Sequence, residues 1–176
     1  MQTLLKIAAD AGCVPIGAKE IDKIAAFAKE QAVDFAVVAP DDPLAMGAVD
    51  RLHALGIPCF GPDAKAAEIE SSKVFAKTLM KRYGIPTAAY EVFSEAEAAL
   101  AYLKKASYPA VIKADGLALG KGVIIAQNYG EAEAAIDSIM RARKFGASGS
   151  RVVVEEFLSG PEVSVLAFTD GKTVKP

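Results

Sequence analysis

At 176 residues, with 52% apolar and 24% charged side chains, the chain has the make-up of an ordinary globular protein with room for one sizeable core or two small lobes. A formal net charge of −2, without a long run of one sign, leaves no electrostatic footprint for nucleic acid or an anionic membrane. No stretch reaches the roughly 18 apolar residues of a membrane span, and Met1 to Gly12 lacks the pattern of a secretory signal. The expected ligand is therefore a small molecule and the expected compartment the cytoplasm.

Ile21, Ile24, Ala25 and Ala28 recur at helical spacing, and Val33 to Ala39 reads as a buried strand ended by Pro40. Leu44 to Gly56 predicts a second helix, followed by a short strand Ile57 to Phe60 and the breakers Gly61 and Pro62. Strands alternating with helices predict a parallel sheet, here an α/β, doubly wound N-terminal domain over residues 1–62 that lacks its beginning. A single helix is expected from about Ala64 to Tyr83, stopped by Gly84 and Pro86, and residues 63–86 form the connection.

From residue 87 to 176 the pattern becomes that of an α+β unit. Thr87 to Phe93 is an expected strand, and Ser94 with Glu97 spells a capping box for a helix carrying Ala96, Ala99, Leu100 and Leu103 on one face. Strands follow at Pro109 to Ala114 and Val123 to Gln127, then a helix marked by Ala132, Ala135, Ile136, Ile139 and Met140. Arg151 to Phe157 and Glu162 to Thr169 are the last expected strands. Cys13 and Cys59 read as plain buried thiols, and His53, flanked by Arg51, Leu52 and Leu55, has no partner for metal or base chemistry.

Two stretches carry chemistry. In Tyr108 to Ala126, two strands flank a loop holding Gly116, Gly120 and Gly122 with Lys113 and Lys121. Glycines let backbone amides approach an anion while lysines neutralise it, so the loop can close over a polyphosphate; a flexible hairpin with solvated lysines has the same spacing. It is not a P-loop, because Gly116 stands four residues before Gly120 and Gly122 replaces the hydroxyl residue. A dinucleotide fingerprint would need glycine at Ile125. Lys113, beside Val111 and Ile112, has a packed stem and an ammonium aimed at a cleft.

In Val152 to Leu166, a buried strand runs into Glu155, Glu156, Phe157 and Leu158, then a Gly-Pro turn and Glu162. Apolar side chains beside exposed backbone suit an adenine ring, and a carboxylate suits ribose hydroxyls; a solvated strand end is the plainer reading.

Five motifs, APDDPLAMGAVD at 39–50, GIPCFGP at 56–62, SSKVFAKTLMKRYGIPTAAY at 71–90, VIKADGLALGKGV at 111–123 and VVVEEFLSGPEVS at 152–164, together resemble the ATP-grasp superfamily. Within it they are similar to the glycinamide ribonucleotide synthetase family along nearly the whole chain. The resemblance implies an incomplete doubly wound domain followed by part of an ATP-grasp domain. It implies that Lys73 and Lys113 contact ATP phosphates as the catalytic cations, under a mobile loop from Leu117 through Gly120 and Lys121 to Gly122. Glu155, Glu156 and the backbone of Phe157 and Leu158 would hold adenine, and Glu162 the ribose. Pro40, Asp41, Pro43, Leu44 and Gly61 would border the phosphoribosylamine site.

Departures fall at Asp41, where the family commonly has Glu, and at Ser71, where Gly often precedes Ser-Lys. The implied partners are ATP, glycine and phosphoribosylamine, joined through a glycyl phosphate. The implied magnesium has its ligands, like the glycine pocket, expected beyond Pro176, and the family's first strand and glycine-rich turn are expected before Met1. The 176 residues alone are then expected to bind nucleotide weakly and not to turn over. Another ATP-grasp carboxylase or amide ligase, or a non-catalytic nucleotide-binding module, is the alternative.

Overall fold

In the computed structural model, which describes residues 12–118 and 122–176, helix α1 spans Ile21–Glu30 and buries Ala25 and Ala28. These two small side chains let α1 lie close against α3, Ala48–His53, with Leu52 and Ile57 completing a small core. Strands β1, Ala36–Val37, and β2, Cys59–Phe60, pair in parallel, Ala36 opposite Cys59. Parallel strands joined by a helical crossover are the α/β arrangement that the alternating pattern predicts.

The buried strand expected over Val33 to Ala39 shortens to β1, with Phe35 and Val37 exposed. Among the described residues, helices cover only one side of this two-stranded pair, so alternate residues face outward. The single helix expected over Leu44 to Gly56 is also corrected. Helix α2 begins earlier, at Asp41, and ends at Ala45; the chain then passes through Gly47 at φ +79° before α3 starts. That left-handed turn reaims the backbone at the one residue type that enters it without a side-chain clash.

The helix expected from Ala64 to Tyr83 is two helices, α4 (Ala64–Ser71) and α5 (Lys73–Tyr83). Ser72 between them is extended, at φ −132° and ψ 113°, and its Oγ accepts from the Phe75 backbone N–H at 3.1 Å. A hydroxyl that caps the second helix outcompetes a continuous ladder at that one residue. Gly84, at φ +65°, ends α5 as its place before Pro86 predicts.

Four strands form an antiparallel sheet in the order β3-β6-β4-β5, where β3 is Tyr90–Phe93, β4 Ala110–Ala114, β5 Val123–Ala126 and β6 Val152–Glu156. Alternation places Ala110, Ile112, Ala114, Val152 and Val154 on one face, under α6 (Ala96–Leu103) and α7 (Tyr129–Ile136). The opposite face carries Tyr90, Val111, Lys113, Val123, Ile125 and Glu155, as the register shows. Helix α5 covers the Tyr90 and Glu155 part of it, and Val123 and Ile125 stay exposed.

The capping box expected from Ser94 and Glu97 does not form: Glu95 is the N-cap residue of α6, without a side-chain cap. Glu97 instead accepts from Arg141 at 2.9 Å, and that hydrogen bond holds its carboxyl below the usual carboxylate range. A reciprocal cap stands at α7. Asn128 accepts from the Glu131 N–H at 3.0 Å while Glu131 accepts from the Gln127 N–H at 2.9 Å. Asn128→Ala should therefore lower stability by about 1 kcal/mol, measured as a shifted urea midpoint at unchanged slope. A wider turn, Asp137–Arg141, extends α7 and keeps Ile139 in the core.

The strand expected over Glu162 to Thr169 is corrected to the two residues of β7, Phe168–Thr169, which pair with β8, Val174–Lys175. Residues 157–167 take no regular structure, and Val163, Val165 and Leu166 are 79%, 80% and 81% exposed. A β-pattern becomes a strand only where another strand takes its hydrogen bonds, and among the described residues none lies beside this one. Both cysteines are free thiols as expected, but Cys13 is exposed and Cys59 only partly buried, which corrects the expectation that both are buried. Among the described residues no helix is long and apolar enough to cross a membrane.

Candidate functional site

A cavity of about 550 Å³ opens where the turn after β1, the start of α5 and the β4–β5 loop converge. Its walls include Lys73, Gly116, Leu117 and Gly122 on one side and Pro40, Asp41, Asp42 and Pro43 on the other. Residues flagged separately for phosphate and for the phosphoribosyl substrate thus share one space. Gly120 and Lys121 lie outside the described residues. A larger, more open groove of about 840 Å³ beside α1 and α3 holds none of the flagged side chains and is set aside on that chemistry.

Two flagged residues on the substrate side are not in the cavity wall. Leu44 is buried against Val49 and Ala67. Gly61, at φ +143°, lets two backbone segments touch: a Cβ there would stand 2.8 Å from the Val38 carbonyl oxygen. Its requirement for glycine is satisfied by packing.

Lys73 owes its place to Asp115, which the sequence reading did not flag. Asp115 is buried, and its Oδ1 accepts from Ser72 Oγ at 3.0 Å and from the Val74 N–H at 3.2 Å. Its Oδ2 accepts from Arg151. One carboxylate therefore ties the first turn of α5 to the end of β4, where acidic charge also suits the helix dipole. Lys73 Nζ then donates to the Gly116 carbonyl at 3.0 Å, at the foot of the loop. Gly116, at φ +109°, passes so close to Ser148 that a Cβ would stand 2.5 Å from its Oγ. The signal for Asp115 was a charged residue directly after a strand and before a glycine.

Lys113 does not line the cavity. It stands beside its strand partner Val123, which does, and its Nζ is 3.0 Å from Glu155 Oε1. Glu155 Oε2 lies 3.0 Å from Nζ of Lys77, another residue that the sequence reading left out. Lys77 also donates to Thr87 Oγ1 at 2.7 Å and to the Ala88 carbonyl at 3.5 Å, and sits 5.5 Å from the centre of the Tyr90 ring. Its four-residue spacing from Lys73 on α5 was the available sign, since that repeat puts both stems on one side of a helix.

Glu156 is held by Ala89: its Oε1 accepts from the Ala89 N–H at 2.8 Å, and its own N–H donates to the Ala89 carbonyl at 2.9 Å. Phe157, Leu158 and Glu162 follow, exposed, outside the cavity wall. Among the described residues no group of three or more His, Cys, Asp or Glu side chains is arranged to hold a metal ion.

The family models divide the chain between them. Residues 5–70 match the phosphoribosylglycinamide synthetase N domain and residues 71–176 the ATP-grasp (A) domain of the same enzyme. The chain belongs to the phosphoribosylglycinamide synthetase family. Among its relatives, the phosphoribosylamine–glycine ligase of Allochromatium vinosum is 48% identical over 163 residues, covering 93% of this chain and 38% of that ligase. The human trifunctional purine biosynthetic protein adenosine-3 is 52% identical over 154 residues, 87% of this chain and 15% of that protein.

A crystal structure of the Thermotoga maritima phosphoribosylamine–glycine ligase superposes with a TM-score of 0.62 at 41% identity, over 66% of this chain and 30% of that one. A Campylobacter jejuni biotin carboxylase, at TM-score 0.69 and 24% identity over 80% of this chain and 32% of that one, shares the fold. The chain spans about two fifths of the length of the bacterial ligases it matches. Membership in this family agrees with the α/β and ATP-grasp fold read from the motifs.

Proposed function

We propose that this chain supplies the nucleotide side of an ATP-dependent ligase that joins glycine to 5-phosphoribosylamine. The observation that carries the reading is the shared cavity, in which Lys73, Gly116, Leu117 and Gly122 face the Pro40–Pro43 turn. Phosphoryl transfer is catalysed chiefly by positioning and by offsetting charge, and a lysine at a glycine-rich loop facing a second binding wall provides both. ATP phosphorylates the glycine carboxylate; the phosphoribosylamine amine then attacks the acyl carbon, releasing phosphate and leaving the amide and ADP.

Lys73 and Lys113 are the cations for the ATP phosphates. Glu155, Glu156, Phe157 and Leu158 serve the adenine and Glu162 the ribose, a reading supported by the exposed end of β6 at Glu156 and the exposed apolar side chains of Phe157 and Leu158 after it. The division at residues 62 and 86 and a cytoplasmic location belong to the same proposal. Magnesium would neutralise phosphate charge when bound. The described residues hold no ligand set for it, so no step is assigned to it.

A chimera tests this reading. The matched segment of the Allochromatium vinosum ligase is replaced by this chain, and phosphate release is measured with ATP, glycine and phosphoribosylamine. Release dependent on all three is expected. Lys113→Ala in the chimera should lower kcat/KM for ATP by about ten- to a hundredfold, the value of a lost charge-assisted contact. A folded chimera without glycine-dependent release would overturn the assignment.

A further inference from the structure

Two cations share one buried carboxylate behind the cavity wall, and they differ in what they have left to give. The Lys77 ammonium has three donors and three acceptors, Glu155 Oε2, Thr87 Oγ1 and the Ala88 carbonyl, and its side chain is 10% exposed. It is a fixed charge without a spare donor. Lys113 has one acceptor among the described residues, Glu155 Oε1, and its side chain is 26% exposed. Its remaining donors are available to a ligand at the exposed sheet face beside Val123.

We propose that Lys77 is a positioning residue for phosphate binding, acting on Lys113 through Glu155; this deepens the nucleotide reading above and rests on it. The charges explain the need for it. Glu155 paired with Lys113 alone would make a neutral, closed pair, and a polyphosphate would have to pull the ammonium away from its full counter-charge. With Lys77 holding the other oxygen, the three groups sum to one positive charge, and that surplus sits on the lysine with free donors. Lys77 also occupies Oε2, so Lys113 is held by one oxygen in one direction instead of being gripped by both.

The test uses this chain and two probes read by calorimetry: inorganic tripolyphosphate for the phosphate side and adenosine for the base side. Lys77→Met keeps the stem and removes the charge. It should weaken tripolyphosphate by about tenfold and leave adenosine within about twofold, while Lys77→Arg stays near wild type. Lys77→Met combined with Glu155→Gln removes both buried charges and returns the surplus to Lys113. Its tripolyphosphate affinity should recover to within about threefold of wild type.

That recovery is the outcome a merely structural lysine does not give, and the double variant keeps the test open if the single one fails to fold. Unchanged tripolyphosphate binding in folded Lys77→Met, or a double variant as weak as the single one, overturns the proposal. If the wild-type chain binds neither tripolyphosphate nor ATP, the nucleotide reading itself fails, and this inference with it.

Discussion

Glu155→Ala should destabilise the chain by about 3–5 kcal/mol, the cost of stranding a buried charge after its partner is removed. The two lysines do not suffer equally. Lys113 is close enough to the open sheet face to turn toward water, whereas Lys77 is pinned under α5 by Thr87, Ala88 and the Tyr90 ring. The loss therefore falls on Lys77, whose ammonium keeps two neutral acceptors and loses its counter-charge. Urea unfolding followed by circular dichroism measures it as a lower midpoint. Lys113→Ala in the same assay should cost much less, since Glu155 keeps Lys77. Equal losses for the two variants would mean that Glu155 is held mainly by Lys113, contrary to the burial of the two side chains.

The end of α5, marked by a glycine and a proline together, was legible in the sequence, and the breaks made at a single residue inside a helical pattern, Gly47 and Ser72, were not. Gly84 and Pro86 fixed the end of α5 because a left-handed glycine and a proline each exclude a further turn. Ser72 was invisible as a break, because a serine inside a helical pattern becomes a cap only when a distant partner claims its hydroxyl. Asp115, 43 residues away in sequence, is that partner.

The site shows the same division. Lys73, Leu117, Gly122 and the Pro40–Pro43 turn carry local signatures, and the fold brings them to one cavity. Asp115, Lys77 and Ser148 act through contacts between separate elements, so that a linear pattern offers at most a local hint of the first two and names none of their partners. The aim of Lys113 illustrates the limit. Its apolar neighbours Val111 and Ile112 suggest a packed stem and an ammonium aimed at a cleft, but the carboxylate that its ammonium meets comes from β6, 42 positions later in the chain.

Asp115→Ala should both destabilise the chain, by about 3 kcal/mol, and weaken ATP binding although Asp115 is not in the cavity wall. The stability loss has three sources in one carboxylate: the Val74 N–H and the Ser72 hydroxyl lose their acceptor at the first turn of α5, and Arg151 loses its counter-ion. The first two are partly buried donors, each costing about 1–3 kcal/mol when left unpaired, and the exposed guanidinium costs less. The binding loss follows from position. Ser72 and Val74 flank Lys73, so freeing them loosens the turn that sets the ammonium over Gly116, and a displacement of even about 1 Å is expensive at a site that works by orientation. Asp115→Asn separates the two effects. The amide oxygen can still accept from Ser72 and Val74, so most of the ATP affinity should survive, while the Arg151 ion pair is lost. Calorimetry with ATP on both variants, beside urea unfolding, reads each quantity independently. An Asp115→Ala protein that is less stable yet binds ATP as tightly as wild type would show that Lys73 holds its place without the clamp.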